Sequence, residues 1–595
     1  MIAALSPLRP LRPPVAWLMG AALGGWFLLH LSAVVMRAPL ERFDGGILYA
    51  ATTMLANGQV PMRDYYIPYG PALGAIGLPA HWLGGDRLYV IQMSYMAMCA
   101  AMVVLLTAYL GRRFGWLVAA AGGILGMLCI VPRYAVCWCA LIGCLLLLER
   151  ALSPARGNGL AGALEAHPRL VFAAGAVLGL APWFRPEYMS LTACWAIAIV
   201  VTLRRSRHAL WLAATPAAVG VLPFLLIAAL GGLHGMVAYA GYAIHGFPVY
   251  RRLPFDRAFP KRWLVGMLAG APAADDTGLV LSYLVGACAV GLFAVNLLLP
   301  RAWRPVRPDP SGVSLFVVLA CSVVLSAQSV RFAATSGLLA IPIFWLALLV
   351  PAYRWLWVRP AMVLAGLLVA STLLRPYASA GPDAVAAWRE TAHAQPPRFG
   401  HLTLAPSETA SFPALVAAWS ARHAPGSRMM SINIRNDRSG GNEVLPYWLL
   451  DARPAAWPIV FDPGLANSDS VEREAAASLC SFRAAVVQHT GTYDDVSLRP
   501  GVHFSRYLDQ YVALNYDVVM SSDLYRLLEP RPGPCVMPEA VSSQGARDTR
   551  DRLLGDREAE MAGAISVLLI DRARAGGTDP DPQDLAAAGA AGYIP

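Results

Sequence analysis

The sequence predicts a polytopic α-helical membrane protein of about 11 transmembrane helices, followed by an exported C-terminal α/β domain. Three observations predict this fold class. The chain is 57% hydrophobic and only 14% charged, with a mean hydropathy of +0.50. Long apolar runs alternate with short arginine-rich loops, and the composition becomes that of a soluble domain after about residue 375. A soluble globular protein does not combine these features.

The net charge of +10 comes mainly from arginines in short loops between apolar runs. Such arginines orient helices in the membrane and contact lipid phosphate, so we expect no nucleic-acid partner. Placing every short arginine-rich loop in the cytoplasm predicts a cytoplasmic N-terminus, an exported C-terminus and a first span that is retained rather than cleaved. The predicted spans are 15–36, 88–110, 116–131, 135–149, 170–183, 188–203, 209–230, 279–299, 313–327, 333–350 and 359–374.

The predicted membrane domain covers residues 1–375, with a first outer loop at 37–87 and a long outer loop at 231–278. Within the first loop, Ala72–Leu83 is apolar but only about a dozen residues long, which favours an interfacial helix over a span. If this segment crossed, the later arginine clusters would lie outside. Asp44 to Asn57 predicts a helix that stops at Asn57-Gly58, and Tyr69-Gly70-Pro71 predicts the start of the next helix.

Residues 376–538 predict a small α/β domain, and residues 539–595 a flexible tail. Strands are predicted at Met429–Ile434, Pro458–Phe461, Ala484–Gln488 and 518–520, and helices at Phe412–Arg422 and Val471–Ser478. Eight of the ten cysteines lie in or beside spans, where they are expected to be packing residues. Cys480 and Cys535 lie in the exported domain, where they can form a disulfide or stay free.

The most informative segment is Glu41–Pro71, a polar and aromatic loop between two apolar runs. It contains three acids, two arginines and four tyrosines. A carboxylate just beyond the first span is costly beside lipid, so the acids of this segment are candidate functional residues. Later outer turns add Arg133, Arg185, Glu187 and Arg331, and the long loop adds His245 and Arg251.

This order of motifs resembles the GT-C glycosyltransferases, which include protein O-mannosyltransferases and the lipid A aminoarabinose transferase. The resemblance rests on Asp-Gly-Gly-x-x-Tyr at Asp44, Gly-x-x-Pro-x-Arg-Asp-Tyr at Gly58, Tyr-Gly-Pro at Tyr69 and the Arg-Pro-Glu turn at Arg185, and it covers roughly residues 15–350. It implies a GT-C-like membrane domain, a polyprenyl-phosphate sugar donor and an active-site acid at Asp44. Relatives often carry a second acid in the second outer loop, where this chain has Val131-Pro132-Arg133-Tyr134. The departure favours a site with no metal and no other cofactor.

The expected chemistry uses Asp44 as the catalytic base that takes the proton of an acceptor hydroxyl. Cations stabilise the leaving phosphate, and aromatic rings stack on the sugar. One carboxylate without a nucleophile predicts inversion at the anomeric carbon. The predicted substrate-binding residues are Asp64, Tyr65, Tyr69, Arg133, Arg185, Glu187, His245, Arg251 and Arg331.

Each candidate also has a purely structural interpretation. Asp44 can cap a helix, and Asp64 can pair with Arg63 or form an Asx turn. The tyrosines can belong to an interfacial belt, the outer arginines can be snorkelling cations, and Arg185 can pair with Glu187 within its turn.

The sequence therefore predicts an integral-membrane inverting glycosyltransferase of cell-envelope glycan biosynthesis, a hexosyl- or pentosyltransferase. Its expected partners are a polyprenyl-phosphate sugar, a glycan, lipid or protein acceptor, and membrane lipids. Arginine and alanine richness suggests a GC-rich bacterium, which would place the protein in the inner membrane with its active site and C-terminal domain on the periplasmic face. The alternatives are a transporter or flippase of lipid-linked sugars, which predicts repeat symmetry and mid-membrane charges, and a non-catalytic membrane scaffold.

Overall fold

The fold divides into two compact units. A computed structural model describes residues 10–37, 44–66, 69–84, 87–129, 132–152, 159–203, 206–241, 404, 406–434, 436, 442–461, 468–490 and 505–538. The helical unit comprises Met1–Ala38, Tyr69–Leu226 and Leu253–Thr403. The α/β unit comprises Pro39–Pro68, Ile227–Arg252 and Leu404–Pro595. It thus includes two segments that the sequence analysis assigned to outer loops of the membrane domain.

The helical unit is built from apolar helices joined by short turns. Its helices are α1 (Pro13–Arg37), α3 (Leu78–Gly84), α4 (Leu88–Phe114), α5 (Trp116–Cys129), α6 (Pro132–Leu152), α7 (Gly159–Ala166), α8 (Pro168–Leu178), α9 (Ala181–Phe184), α10 (Met189–Leu203) and α11 (Ala209–Ile227), while α2 belongs to the other unit. Within the described ranges, three helices are long and apolar enough to cross a membrane, at Val90–Arg112, Tyr134–Ala151 and Ala209–Ala240.

The helix positions follow the predicted spans up to residue 230, with two differences at predicted elements and one added helix, α7, which was not predicted. The predicted span 170–183 is two helices, α8 and α9, separated at Gly179-Leu180. The predicted interfacial helix at Ala72–Leu83 is a 3₁₀ turn (Leu73–Ile76) followed by α3, because Gly74 and Gly77 interrupt the run. The four predicted spans between residues 279 and 374 lie outside the described residues, so the count of eleven stays a prediction.

Close packing of α1 on α4 sets the core of the helical unit. Gly20 faces Val104 so closely that a Cβ would lie 2.7 Å from the Val104 carbonyl oxygen. The buried core includes Trp138 and Trp195. The indole nitrogen of Trp195 donates a hydrogen bond to the Leu212 carbonyl at 2.8 Å. Small residues at helix crossings permit this approach of the backbones.

The α/β unit is organised around a five-stranded sheet. Its elements are α2 (Asp44–Ala56), α12 (Leu233–Gly241), α13 (Pro406–Ser420), β1 (Arg428–Asn433), α14 (Leu445–Leu449), β2 (Arg453–Pro454), α15 (Asp469–Phe482), β3 (Ala485–His489), α16 (Tyr507–Asn515), β4 (Tyr516–Ser521) and β5 (Tyr525–Pro530). The strand order is β2-β1-β3-β5-β4, with β1 parallel to β2 and β3, and β5 antiparallel to β3 and β4. The described sheet therefore has a parallel half with α/β connections and an antiparallel half made by a hairpin.

Three of the four predicted strands are present, and Pro458–Phe461 is not a strand. Asn442 explains the difference, since its side chain accepts from Phe461 N at 2.8 Å and donates to Ile459 O at 3.0 Å. These side-chain bonds satisfy the polar backbone groups that a neighbouring strand would otherwise pair. The sequence analysis also missed β5 and α16.

A disulfide joins α15 to the end of the sheet. Cys480 and Cys535 are bonded, with their Cα atoms 5.9 Å apart. The sequence left open whether these two cysteines pair or stay free, and in the structure they are paired.

A buried polar network lies at the carboxyl ends of β1 and β3. Glu443 is fully buried, lies 3.2 Å from His489 Nε2 and accepts a hydrogen bond from the Tyr525 hydroxyl. Asn436 donates to Asp509 at 2.6 Å. Hydrogen-bonded partners of this kind are what allow polar side chains to be buried in a core.

Candidate functional site

The predicted site residues divide between the two units. Tyr69, Arg133, Arg185 and Glu187 belong to the helical unit, and Asp44, Asp64 and Tyr65 belong to the α/β unit. His245, Arg251 and Arg331 lie outside the described residues. Each group is described within its own unit.

In the helical unit, Arg185 and Tyr69 come together with Tyr134. The Arg185 guanidinium carbon lies 4.2 Å from the centre of the Tyr134 ring and 5.0 Å from that of Tyr69. An Arg185 nitrogen also donates a hydrogen bond to the Tyr134 hydroxyl. Only 6% of Arg185 and 7% of Tyr69 is exposed. Two aromatic faces and a phenol oxygen therefore fix the plane of a buried guanidinium.

Backbone contacts bring these segments together. Gly70 N donates to Phe184 O at 2.7 Å, and Ala72 N donates to Trp183 O at 2.9 Å. A Cβ at Gly70 would overlap the Trp183 carbonyl, so only glycine permits this approach. Arg185 itself ends α9 in an extended conformation, with its N–H bonded to Ala181 O at 3.1 Å. The Tyr-Gly-Pro motif therefore docks directly on the turn that carries Arg185.

The sequence analysis did not select Tyr134 as a site residue. Its position next to Arg133, in the predicted second outer turn, was the available signal. Arg133 lies in the first turn of α6, and Glu187 lies in the 3₁₀ turn Pro186–Tyr188; the structure describes their backbones only.

This cluster, made of Tyr69, Tyr134 and Arg185, has the chemistry of an anion-binding group. A guanidinium presents several N–H donors in a rigid fork that matches phosphate oxygens. Stacking on aromatic rings orients the fork through the face of the guanidinium. Aromatic rings beside a cation also suit contact with the apolar face of a sugar.

In the α/β unit, Asp44 is the first residue of α2. Residues 45–54 of this helix are all buried, and a Cβ at Gly46 would lie 2.9 Å from Leu445 N of α14. The helix ends as predicted: Asn57 N bonds to Thr53 O, and Gly58 has a positive φ of 74°. The position of Asp44 at the start of α2 also fits the capping interpretation.

Asp64 is held by its neighbours in a tight turn. It accepts hydrogen bonds from Val60 N at 2.7 Å and from two nitrogens of Arg63, at 2.6 and 3.0 Å. Partial burial opposes ionisation of the carboxyl, but the Arg63 and Val60 hydrogen bonds outweigh it and lower the pKa of Asp64. This is the geometry of the ion-pair interpretation, with 32% of the Asp64 side chain exposed.

Tyr65 closes the same turn and is fully buried. Its carbonyl accepts from Met62 N at 2.7 Å, and Met62 has a positive φ of 64°. Contact of Tyr65 with a substrate therefore stays a prediction. Among the residues that the structure describes, no group of three or more His, Cys, Asp or Glu side chains could hold a metal ion. The expectation of a metal-free site also stays a prediction.

Comparison with known structures finds similar proteins over most of the chain. One is ArnT from Cupriavidus metallidurans bound to undecaprenyl phosphate, with 14% identity, 87% of this chain and 99% of that chain covered, and a TM-score of 0.46. Another is the Archaeoglobus fulgidus oligosaccharyltransferase in complex with Zn and sulfate, with 12% identity, 97% and 86% covered, and a TM-score of 0.42.

No family model matches the chain, and no curated protein matches it. Because the two structural matches have TM-scores below 0.5 and identities below 15%, the functional proposal rests on the residues of this chain.

Proposed function

We propose that the protein is an integral-membrane inverting glycosyltransferase of the GT-C type. It transfers a sugar from a polyprenyl phosphate to an acceptor on the outer face of the membrane. The observation that carries the proposal is the docking of Tyr69-Gly70-Pro71 on the Arg185 turn, because these are two of the segments on which the sequence resemblance rests.

The reaction needs one base and a stabilised leaving group. The acceptor oxygen attacks the anomeric carbon of the sugar. The bond between the anomeric carbon and the phosphate oxygen breaks, and its electron pair stays on the leaving polyprenyl phosphate. The Asp44 carboxylate takes the proton of the acceptor hydroxyl. Attack from the face opposite the phosphate inverts the configuration.

Arg185 is the proposed partner of the leaving phosphate. Negative charge grows on the phosphate as the bond breaks, so a fixed guanidinium binds the transition state more strongly than the ground state. Tyr69 and Tyr134 orient the guanidinium and offer ring faces to the sugar. Further proposed contacts to phosphate or sugar are Arg133, Glu187, Asp64, Tyr65, His245, Arg251 and Arg331.

The disulfide supports the proposed orientation. Disulfides persist in oxidising compartments such as the bacterial periplasm and are rare in the cytosol. Cys480–Cys535 therefore favours an exported α/β unit. The Asp44 segment belongs to that same unit, so the base would face outwards.

The proposal is tested by release of undecaprenyl phosphate from a panel of undecaprenyl-phosphate hexoses and pentoses. The purified protein is placed in nanodiscs with a cell-envelope extract as acceptor source. We expect release from at least one donor, lost in Arg185→Gln and kept in Arg207→Gln, a change at an exposed loop arginine. Movement of intact donor across vesicles without release would replace the proposal with the flippase function.

A further inference from the structure

The aromatic turn after α2 is tied to the C-terminal part of the α/β unit through Trp457. The Trp457 carbonyl accepts a hydrogen bond from Tyr66 N at 2.6 Å. The two rings meet edge to face, with centres 6.0 Å apart and an interplanar angle of 84°. Tyr66 is fully buried and Trp457 is 7% exposed. A residue far along the chain thus accepts a backbone hydrogen bond from this turn.

Trp457 is itself fixed by Glu474 of α15. The indole Nε1 donates to one Glu474 oxygen at 2.9 Å, and the other oxygen lies 3.2 Å from His234 Nε2 of α12. The His234 and Trp457 rings meet edge to face at 6.0 Å. Glu474 therefore connects α15, Trp457 and α12 through its two oxygens.

The turn also contacts α12 and the residues before it. A Cβ at Gly235 would overlap the Met62 carbonyl oxygen. Arg63 donates to Leu230 O at 3.2 Å, and the Tyr66 ring lies 5.7 Å from that of Tyr239. The turn Pro61–Tyr66 therefore contacts both Trp457 and the segment that contains α12.

We infer that the C-terminal α/β domain positions the Asp44–Tyr66 segment for catalysis, with Trp457 and Glu474 as its positioning residues. The inference rests on the proposed function, because it assigns these residues to the segment that carries the proposed base. They act through Tyr66 and the turn, and not by contact with substrate.

The burial of Trp457 and Tyr66 favours positioning over glycan binding by these two rings. A ring that stacks on an acceptor sugar must present a face to solvent, whereas Tyr66 is fully buried and Trp457 is 7% exposed, with its indole N–H bonded to Glu474. Enzymes lose rate when a supporting shell lets reactive groups move by about 1 Å.

The first measurement is amide hydrogen exchange of residues 60–66 in the full-length protein in nanodiscs. Trp457→Phe keeps an aromatic edge against Tyr66 but removes the donor to Glu474. We expect exchange of these amides to rise roughly fivefold, the factor for loss of one ordinary hydrogen bond. Glu474→Ala should act alike, and Glu474→Gln, which keeps an acceptor oxygen, should restore most of the protection. Trp82→Phe and Glu165→Gln, at exposed positions of the helical unit, are matched controls.

The second measurement is the kinetics of undecaprenyl phosphate release in the same variants. We expect turnover to fall about tenfold in Trp457→Phe with unchanged half-saturating donor and acceptor concentrations. Unchanged exchange at residues 60–66 would overturn the inference, and so would faster exchange with normal turnover. A raised half-saturating acceptor concentration with normal exchange would show that the domain binds the acceptor instead.

The two proposals fail separately. If no donor in the panel is cleaved by the wild-type protein, the transferase function is wrong. If the wild-type protein cleaves a donor but Trp457→Phe leaves turnover unchanged, only the positioning role is wrong.

Discussion

The two units hold their charged candidate residues in different ways. In the α/β unit, Asp64 is paired with its sequence neighbour Arg63, and both side chains are partly exposed, at 32% and 43%. In the helical unit, Arg185 is 6% exposed and is held by rings from two other segments. An exposed pair of neighbours forms with little help from the fold and contributes little stability. A buried guanidinium needs the tertiary structure, which makes Arg185 the better candidate for a specific role.

The units should also differ in how they are stabilised, and the disulfide gives the largest expected difference. Cys480 and Cys535 are separated by 55 residues, so removing the bond should lower the free energy of unfolding of the α/β unit by about 4 kcal/mol in the chain-entropy model. Denaturant titration monitored by limited proteolysis reports on each unit separately. We expect Cys480→Ser with Cys535→Ser to destabilise the α/β unit alone and to abolish its response to reductant. An equal loss of unfolding free energy in the helical unit would contradict the expectation that the disulfide stabilises the α/β unit alone.

Asp44 tests whether the α/β unit supplies the base. Asp44→Asn keeps the size of the side chain but removes its proton affinity, so turnover should fall by about 10²-fold or more. Release of undecaprenyl phosphate is the measurement. Asp523→Asn, at an exposed turn of the same unit, should keep normal turnover. Normal turnover in a folded Asp44→Asn protein would leave Asp44 with only its capping role.

Two helical glycines, one from each unit, compare a tightly packed position with an open one. A Cβ at Gly46 of α2 would lie 2.9 Å from Leu445 N, whereas one at Gly25 of α1 would have no atom within 4 Å. Gly46→Ala should therefore lower the free energy of unfolding by about 2 kcal/mol through overpacking. Gly25→Ala should raise it by roughly 0.5–1 kcal/mol, because alanine favours helix. Thermal unfolding of both variants measures these changes. Similar midpoint shifts in the two variants would show that α14 moves enough to accommodate the added methyl group at Gly46.

Tyr134 tests how the helical unit holds its cation. Tyr134→Phe keeps the ring under Arg185 and removes the hydroxyl that accepts its hydrogen bond. We expect undecaprenyl phosphate to bind roughly fivefold more weakly in nanodiscs, the factor for one hydrogen bond. Tyr95→Phe is the control, since that hydroxyl bonds to Leu73 O and not to Arg185. Equal affinity in both variants would assign the Arg185 hydrogen bond a structural role only.

The smallest expected effect is the pH dependence from Asp64. Its pKa is lowered in the folded state, so its contribution to stability is present above the unfolded value of about 3.9 and is lost as the pH falls through the folded pKa. Asp64→Asn should therefore lower the free energy of unfolding slightly at pH 7, where the wild-type contribution is present, and flatten the decline in stability below about pH 4. Urea titrations at a series of pH values measure this slope. If stability fell more steeply in acid in the variant than in the wild type, Asp64 would not have a lowered pKa in the folded state.

Local patterns in the sequence determined much of the secondary structure. The stop of α2 at Asn57-Gly58, the strand at 428–433 and the apolar helices up to residue 230 follow from turn chemistry and hydrophobic periodicity, which act between near neighbours. Arg185 and Tyr69 were also selected from the sequence, as members of the Arg-Pro-Glu and Tyr-Gly-Pro motifs on which the family resemblance rests. Their association with Tyr134 was not, since the three lie in separate turns.

Only the tertiary structure decided which unit an apolar helix joins. Helices α2 and α11 are both apolar, yet residues 45–54 of α2 are all buried, whereas only 22% of an apolar 18-residue window within Ala209–Ala240 is buried. Protein interior and lipid remove apolar surface from water alike, so hydrophobicity does not distinguish them. The difference lies in long-range contacts such as Gly46 with Leu445 and Tyr66 with Trp457, and these depend on close shape matching that no local pattern encodes.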